Sequence, residues 1–500
     1  MSGLADRLRQ LLEAAETGAA DPATRSGLRA AIDRLDEPLR VAIAGRVKAG
    51  KSTLLNALVG ERIAPTDAGE CTRIVTWYRG SHTSRVTLER RDGTTLPTTF
   101  RRGIDGALEI DLAGHHPQDL RRMVVEWPSR RLEDLTLIDT PGLFSVTGQT
   151  SQRTSEFLIP DADAPGEVDA VVYLLRHVHA EDVRFLEAFH DHDLAQPTPV
   201  NAVGVLSRAD EVGVCRPDAL RSAARVAERL GRDARIRRLC QSVLPVAGLL
   251  AQAAAALTEA EVRVLRSVAE CEPAHRERLL LSTDRFVADL AGPAGDGGLA
   301  GGAEVLAGPA ERAEVLEALG WFGVQLAVAA LIERPESTAG AIATELREGS
   351  GVDDLRTVLT RQFTGRADIL KARSAAARLD TVLRHEVVAN GPAIAAELEG
   401  ALAATHGYAE LRLLSLLRVG VVRLTDAEQE DAERLLGVAG TDPLIRLGLA
   451  PGTAAPRVRE VAGEQLARWR RRAEHPLSTR EVKDAAGVLV RSCEGIVADL

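Results

Sequence analysis

The sequence predicts an α/β protein, a doubly wound sheet domain followed by an all-helical region. Three observations predict it. An apolar run, Val41–Ala44, leads into a glycine-bounded loop and a helix start at Lys51-Ser52. Apolar, strand-like runs then recur at Leu135–Ile138, Ala170–Leu175, Val203–Leu206 and Ser242–Val246, with helical patterns between them at Glu181–His190 and Pro217–Leu230. That alternation is the order of a parallel, doubly wound sheet. Beyond about residue 335 no strand pattern remains, and apolar residues step by threes and fours as in a helical bundle.

Length and composition set the bounds. Five hundred residues exceed one core and indicate two or three domains. A formal charge of −10 argues against a dedicated nucleic-acid binder. The five cysteines (71, 215, 240, 271, 493) form no C-x-x-C and read as scattered apolar residues in a reducing compartment. The N-terminus is amphipathic and carries acids, unlike a secretory signal. The longest apolar run, Ala318–Ile332, is broken by Gln325 and is short for a span, so it reads as a buried helix. The expectation is a cytoplasmic protein whose membrane contact is peripheral. Of 62 basic residues only four are lysine: Lys48, Lys51, Lys371 and Lys483.

In chain order, Leu4, Leu8, Leu11 and Ala15 share one helical stripe. Thr24 is placed to cap a second helix carrying Leu28, Ile32 and Leu35. Arg40–Ala44 is the first strand. Glu70–Tyr78 is β-rich, and Arg85–Glu89 with Thr95–Phe100 flank Asp92-Gly93, a hairpin signal. Gly292–Pro309 is glycine- and alanine-rich and reads as a flexible loop. Ala372, Ala376, Leu379, Leu383 and Val387 form a bundle stripe; Leu411–Leu424 and Val458–Arg472 are helical; Val482 to Leu500 carries a last stripe. The matching periods at both chain ends predict that N- and C-terminal helices pack together beside the sheet. The resulting division is 1–37 helical, 38–335 sheet domain and 336–500 helical.

The loop Gly45-Arg46-Val47-Lys48-Ala49-Gly50-Lys51-Ser52-Thr53 fits G-x-x-x-x-G-K-[ST]. Its glycines let successive N–H groups face one anion, and the helix start adds its dipole. Lys51 would neutralise β/γ-phosphate charge and the Ser52 hydroxyl would ligate Mg²⁺. Asp139-Thr140-Pro141-Gly142 ends a strand about ninety residues on. There the carboxylate of Asp139 can hold Mg²⁺ through water, and the Gly142 N–H can meet the γ-phosphate. Between them, Thr72 is the choice for the mobile threonine that completes Mg²⁺ coordination and orients water; Thr66 and Thr76 compete. Ser207-Arg208-Ala209-Asp210 ends another strand. A carboxylate at Asp210 accepts both donors of guanine, and Arg208 can lie on the purine face. Val246-Ala247-Gly248 could offer an N–H to guanine O6. His177, His179, His190 and His192 read as a solvated face rather than a metal cluster. Arg468, Arg470, Arg471 and Arg472 around Trp469 read as a salt-bridged helix face, with phosphate headgroup contact and then nucleic acid as the alternatives.

Together, Gly45–Asn56, Thr66–Thr72, Asp139–Gly142 and Ser207–Asp210 resemble the bacterial dynamin-like GTPases, in particular actinobacterial ones of the isoniazid-inducible type. The resemblance implies a doubly wound P-loop GTPase domain with an appended all-α neck and stalk bundle. It implies GTP as substrate, Mg²⁺ as cofactor and self-association through the GTPase face. An anionic membrane surface and a second dynamin-like protein are the other implied partners, with no nucleic acid expected. In that superfamily the third residue between the loop glycines matters for charge neutralisation; here it is Lys48, which reads either as a solvated loop lysine or as a catalytic cation beside Lys51 and Thr72. Leu411–Leu424 and Leu444–Leu449 are the segments weighed as a membrane tip, with a core role the stronger reading of each. Two other functions fit the same motifs: a GTP-switch factor for ribosome, RNA or cell-division assembly, and a low-turnover GTP-binding scaffold.

Overall fold

The computed structural model describes residues 2–65, 74–103, 106–141, 168–176, 201–213, 215–288 and 306–498. The strands are β1 (Leu39–Gly45), β2 (Thr76–Gly80), β3 (Arg85–Arg90), β4 (Thr95–Thr98), β5 (Phe100–Arg102), β6 (Leu108–Ile110), β7 (Leu120–Trp127), β8 (Leu135–Asp139), β9 (Ala170–Leu175), β10 (Ala202–Ser207) and β11 (Val243–Val246). Nine of them form one sheet in the order β11-β10-β9-β1-β8-β2-β7-β3-β4, and β5-β6 pair apart. The five strands from β11 to β8 run parallel. The sheet then turns mixed: β2 is antiparallel to β8 and parallel to β7, and β3 is antiparallel to β7 and β4. The expectation of an all-parallel sheet therefore holds for the half that carries the phosphate loop. The hairpin expected around Asp92-Gly93 is β3-β4, with Glu89 opposite Thr95.

The central strands are continuous apolar runs because both faces are covered. In β1, Val41 and Ile43 join one core and Ala42 and Ala44 the other; in β9, Val172 and Leu174 alternate with Val171 and Tyr173 in the same way. The first face packs on helix α3 (Lys51–Val59) and runs into the core of helices His406–Val419, Ala455–Glu474 and Arg480–Ala498. The second packs on Ala219–Arg232, Gly248–Ala256, Glu259–Ala269 and Pro309–Glu333. Pro309–Glu333 is the one helix among the described residues long and apolar enough to cross a bilayer; half of its apolar window is buried, and it bends at Gly320.

Helix α1 (Ser2–Gly18) and helix α2 (Pro22–Arg34) pack on Ala367–His385 and Gly391–Ala404 in a third core, Leu8, Leu12 and Leu28 against Ala376 and Leu379. The chain-end pairing inferred from matching periods thus takes another form. The last helix, Arg480–Ala498, packs on Ala455–Glu474 and His406–Val419 instead. The α2 cap also differs. Asp21 is the N-cap and its side chain accepts from the Thr24 N–H, which its fuller negative charge favours at a helix start.

The basic segment near Trp469 is ion-paired. Arg468 pairs with Asp431, Arg470 with Glu494 and Arg472 with Glu428, while Trp469 is buried. Leu411, Leu413, Leu414 and Leu417 are core, and Arg418 is buried on Glu433 and the Cys240 carbonyl. Leu447 is buried and Leu444 and Leu449 are half-buried. The leucines of both segments weighed as a membrane tip are buried or half-buried because the bundle uses them on its inner face, while Arg412, Val421 and Arg423 are exposed.

Beside this core Glu410 accepts from the Ser492 hydroxyl at 2.6 Å and pairs with Arg446, with His406 Nε2 3.3 Å away. Burial alone would raise its pKa, but the His406 hydrogen bond and the Arg446 charge hold it down to about 2, against an ordinary 4.5. A depressed carboxylate pKa means stability present above pH 4.5 and lost as pH falls toward 2, here roughly 2–3 kcal/mol. Urea unfolding at pH 7 and pH 3.5 should show Glu410→Gln less stable than the parent at pH 7, with the gap narrower at pH 3.5 by about 1 kcal/mol. An equal gap at both values would remove Glu410 from the acid response.

Candidate functional site

The site forms where the central parallel strands end. β1 enters the loop at Gly45, whose φ of +148° and backbone contact leave no room for a side chain: a Cβ there would lie 2.9 Å from the Leu174 carbonyl oxygen. Gly50, at φ +93°, is the N-cap of α3 and supplies no side-chain cap, so the first-turn N–H groups of Lys51, Ser52 and Thr53 stay available to an anion. Lys51 is buried, and its Nζ donates to the carbonyls of Gly45 and Arg46 at 3.2 Å each. Burial pushes its pKa below the usual lysine value, against the nearby Asp139 charge. A bound phosphate would oppose that shift by favouring the ammonium.

Asp139 faces the loop because β8 pairs in register with β1, Ile43 opposite Asp139. The Ser52 hydroxyl donates to Asp139 Oδ2 at 2.7 Å, while Oδ1 is buried without a hydrogen-bond partner. Burial raises the Asp139 pKa, against Lys51 and the Ser52 hydrogen bond. An unpartnered carboxylate oxygen beside a serine hydroxyl is an oxygen donor set that suits a hard divalent cation, and both residues fit Mg²⁺. Thr140 anchors the strand end by donating to the Ile43 carbonyl at 2.9 Å.

A cleft of about 620 Å³ opens beside the loop, lined by Ala49, Gly50, Thr53, Ser207, Arg208, Asp210, Val246 and Gly248 among others. The sequence-predicted base-reading residues are therefore brought to the phosphate loop. Asp210 is buried, and burial raises its pKa, with Glu211 adding to the rise and Arg208 opposing it. Ser207 Oγ donates to the Leu175 carbonyl at 3.3 Å. The Arg208 guanidinium donates to Glu211 at 2.8 Å and to the Lys48 carbonyl at 3.1 Å. Arg208 and Lys48 both sit in the left-handed region, φ +54° and +62°, a conformation that costs a non-glycine residue about 1 kcal/mol or more and clusters at ligand clamps. Lys48 is exposed.

Of the Val246-Ala247-Gly248 turn, the Ala247 N–H is already committed. It donates to the Ser350 carbonyl at 2.8 Å. Gly351 makes this approach possible: at φ +74°, a Cβ would lie 2.4 Å from the Pro245 carbonyl oxygen. Within the turn, Gly248 remains for a base, at the start of its helix.

Thr72, Gly142, Thr66 and the four histidines lie outside the described residues. Thr76 is a buried β2 residue that donates to the Ile74 carbonyl and sits opposite Asp139. Sequence reasoning missed Glu211, which pairs with Arg208 and Arg176. It quoted Asn56 without a role. Buried Asn56 accepts from the N–H groups of Ile63 and Ala64 at 2.9 and 2.8 Å, fixing the chain that leads toward Thr72.

Comparison with known proteins adds lineage to this geometry. Residues 41–188 match the family described as the dynamin family. The isoniazid-induced protein IniC of Mycobacterium tuberculosis H37Rv is 41% identical over 99% of this chain and 98% of its own. The isoniazid-induced protein IniA of the same strain is 34% identical over 27% of this chain and 22% of its own. A bacterial dynamin-like protein of Nostoc punctiforme is 33% identical over 21% of this chain and 16% of its own. A solved structure of an oligomerised bacterial dynamin pair aligns over 99% of this chain and 90% of its own at 12% identity, with a TM-score of 0.33.

Proposed function

This chain belongs to the bacterial dynamin-like proteins, and from that premise we propose that it binds and hydrolyses GTP with Mg²⁺ and couples the cycle to self-association on a membrane. The observation that carries the reading is the arrangement at the strand ends: the Ser52–Asp139 pair at the helix start of the loop, and Asp210 in the wall of a cleft that Ala49, Gly50 and Thr53 of the same loop also line. Catalysis in such a site is positioning and electrostatics rather than covalent chemistry. Lys51 moves its ammonium from the loop carbonyls to β- and γ-phosphate oxygens. The N–H groups of Gly50 to Thr53 hold the same phosphates. Ser52 and Asp139 would hold Mg²⁺, which when bound would supply charge neutralisation at the phosphates. Asp210 accepts from N1–H and the exocyclic amine of guanine, and Arg208, tied to the Lys48 carbonyl, keeps the base-reading loop and the phosphate loop in one frame. Thr72 is assigned to metal coordination and to orienting water, and Gly142 to a backbone N–H contact with the γ-phosphate.

The membrane part rests on family membership: self-association through the GTPase face, contact with anionic lipid at the inner face of the cell membrane, and a second dynamin-like protein as a further partner. Turnover measured with and without liposomes of anionic lipid tests both parts. The expected result is slow basal GTP hydrolysis that rises several-fold on liposomes and falls as salt screens the surface charge. No hydrolysis under either condition would leave a GTP-binding scaffold, and turnover indifferent to liposomes would leave a soluble switch.

A further inference from the structure

A second cavity, about 1080 Å³, lies away from the phosphate loop, between α2, the β2-β7 part of the sheet and the helix Ala367–His385. Seven basic side chains line it against two acidic ones, Asp33 and Glu37. In a chain of net charge −10 this is a local concentration of positive charge, and the residues supplying it come from four separate stretches of sequence.

The charges are built in rather than solvated. Trp77 of β2, fully buried, carries three guanidinium groups around its ring: Arg40 at 4.5 Å, Arg79 at 4.8 Å and Arg122 at 4.2 Å from the centroid. Stacking on an aromatic face holds a guanidinium plane in a fixed orientation. Crowding and burial disfavour the charges. Burial and then the charge of Arg34 take Arg40 down to about 10, and burial lowers Arg79 as well, with Arg122 adding to it. The Arg79 Nε is buried without a hydrogen-bond partner. The nearby acids are already engaged: Asp169 with Arg34, Glu37 with Arg40 and Glu89 with Arg122. The wall remains net positive after these pairs.

The walls are also fixed relative to one another. Asp169, at the foot of β9, accepts from Arg34 of α2 at 2.6 Å, from the Arg40 N–H of β1 at 2.9 Å and from Ser374 of Ala367–His385 at 3.0 Å. Lys371 donates to the carbonyls of Leu35 and Glu37 at 2.8 and 3.2 Å. The cavity is a framed site at the junction of the N-terminal helices with the sheet.

We propose that this cavity binds a ligand carrying two or more phosphate groups, held by Arg79, Arg378 and Lys371 around the Trp77 arginine cluster. Guanidinium forks match phosphate oxygens in pairs, and clustered arginines are the usual answer to multiply charged phosphates. The ligand would bridge α2, the sheet and Ala367–His385, so its occupancy would stiffen the junction of the helices with the nucleotide-binding sheet. The same chemistry is offered by a soluble polyphosphate and by a two-phosphate lipid headgroup.

The test is calorimetric titration of inorganic tripolyphosphate into the full chain with excess GDP and Mg²⁺ present. A parallel arm measures sedimentation with phosphatidylcholine vesicles containing cardiolipin. One arm or both should report binding, weakened at least ~10-fold by Arg79→Gln and by Arg378→Gln, with the melting temperature of each variant within a few degrees of the parent. Tripolyphosphate binding that is lost in the variants assigns a soluble ligand; vesicle binding alone that is lost in the variants assigns a headgroup. Binding that both variants retain in full, or no binding of either probe, overturns the proposal. Arg378→Gln decides the matter if Arg79→Gln fails to fold, because Arg378 lies outside the Trp77 cluster. The variants rather than GDP locate the ligand, so the outcome stands apart from the nucleotide assignment.

Discussion

Asp210→Asn is expected to exchange the protein's base: GTP binding falls by about 100-fold, and xanthosine triphosphate, which the parent ignores, binds in its place. A paired hydrogen-bond contact of this kind is worth roughly 1–3 kcal/mol of discrimination, and more when the wrong partner leaves buried groups unpaired. In the proposed site the carboxylate would accept from guanine N1–H and the amino group. An amide presents one acceptor and one donor, which matches xanthine N1–H and its 2-oxo group. The cleft supports a large effect because Asp210 is buried in its wall, where water cannot replace a lost partner. The same burial raises the Asp210 pKa above the usual carboxylate value. A protonated Asp210 accepts one donor fewer, so GTP affinity should fall on acidification at a pH above the ordinary aspartate range, and the Asn variant should not show that fall for xanthosine triphosphate. Fluorescent-nucleotide titration of both proteins at pH 5 to 8 reads both effects. Equal ATP and GTP affinity in the parent would remove Asp210 from base recognition.

What could be read in the sequence was local. The phosphate loop has its chemistry within nine residues, Gly45 to Thr53, and the strand before it is apolar on both faces because cores on both sides cover β1. The hairpin followed from Asp92-Gly93 between two β-branched runs. β7 was missed: Leu120–Trp127 alternates only imperfectly, with Arg121 and Arg122 adjacent and Val124 and Val125 adjacent, and its partners β2 and β3 lie 30 to 47 residues away by register. Heptad-like stripes showed that the terminal helices have apolar faces but not which face meets which. Leu8 and Leu28 meet Ala376 and Leu379, whereas the last helix turns to Trp469 and Leu414. The site has the same split. The motif placed Asp210 and Arg208 near a nucleotide, but the hydrogen bond from Arg208 to the Lys48 carbonyl spans 160 residues and leaves no local trace. Ser350 against Ala247 is similar, since only the folded chain brings the linker before Val352 onto the end of β11.

Lys48→Ala is expected to lower kcat at least ~10-fold while leaving nucleotide affinity little changed. A GTPase must neutralise charge that builds between the β- and γ-phosphates as the bond breaks, and where an arginine finger does this it is worth ~10³–10⁵ in rate. Lys48 is one of only four lysines in the chain, occupies the third place between the loop glycines and is exposed on that loop. Its backbone is held in the left-handed region at φ +62°, and its carbonyl accepts from Arg208. A strained residue secured by a second element is a conformation the fold maintains at a cost. The flexible ammonium stem can then reach the phosphates when a second protomer closes over the site. An interaction made only in the transition state lowers kcat and kcat/KM together and spares binding, whereas a ground-state contact would raise Kd. If the ammonium supplies the charge, no monovalent cation is needed, and turnover should be the same in K⁺ and Na⁺ buffers. Lys48→Arg should keep most of the activity, since charge is retained; Lys48→Ala should not be rescued by either salt unless the emptied place admits a cation, which K⁺ titration of the variant would reveal as recovered kcat. A parent enzyme that stops when K⁺ is withdrawn, or an alanine variant with unchanged kcat, would reduce Lys48 to a solvated loop residue whose carbonyl alone serves the site through Arg208.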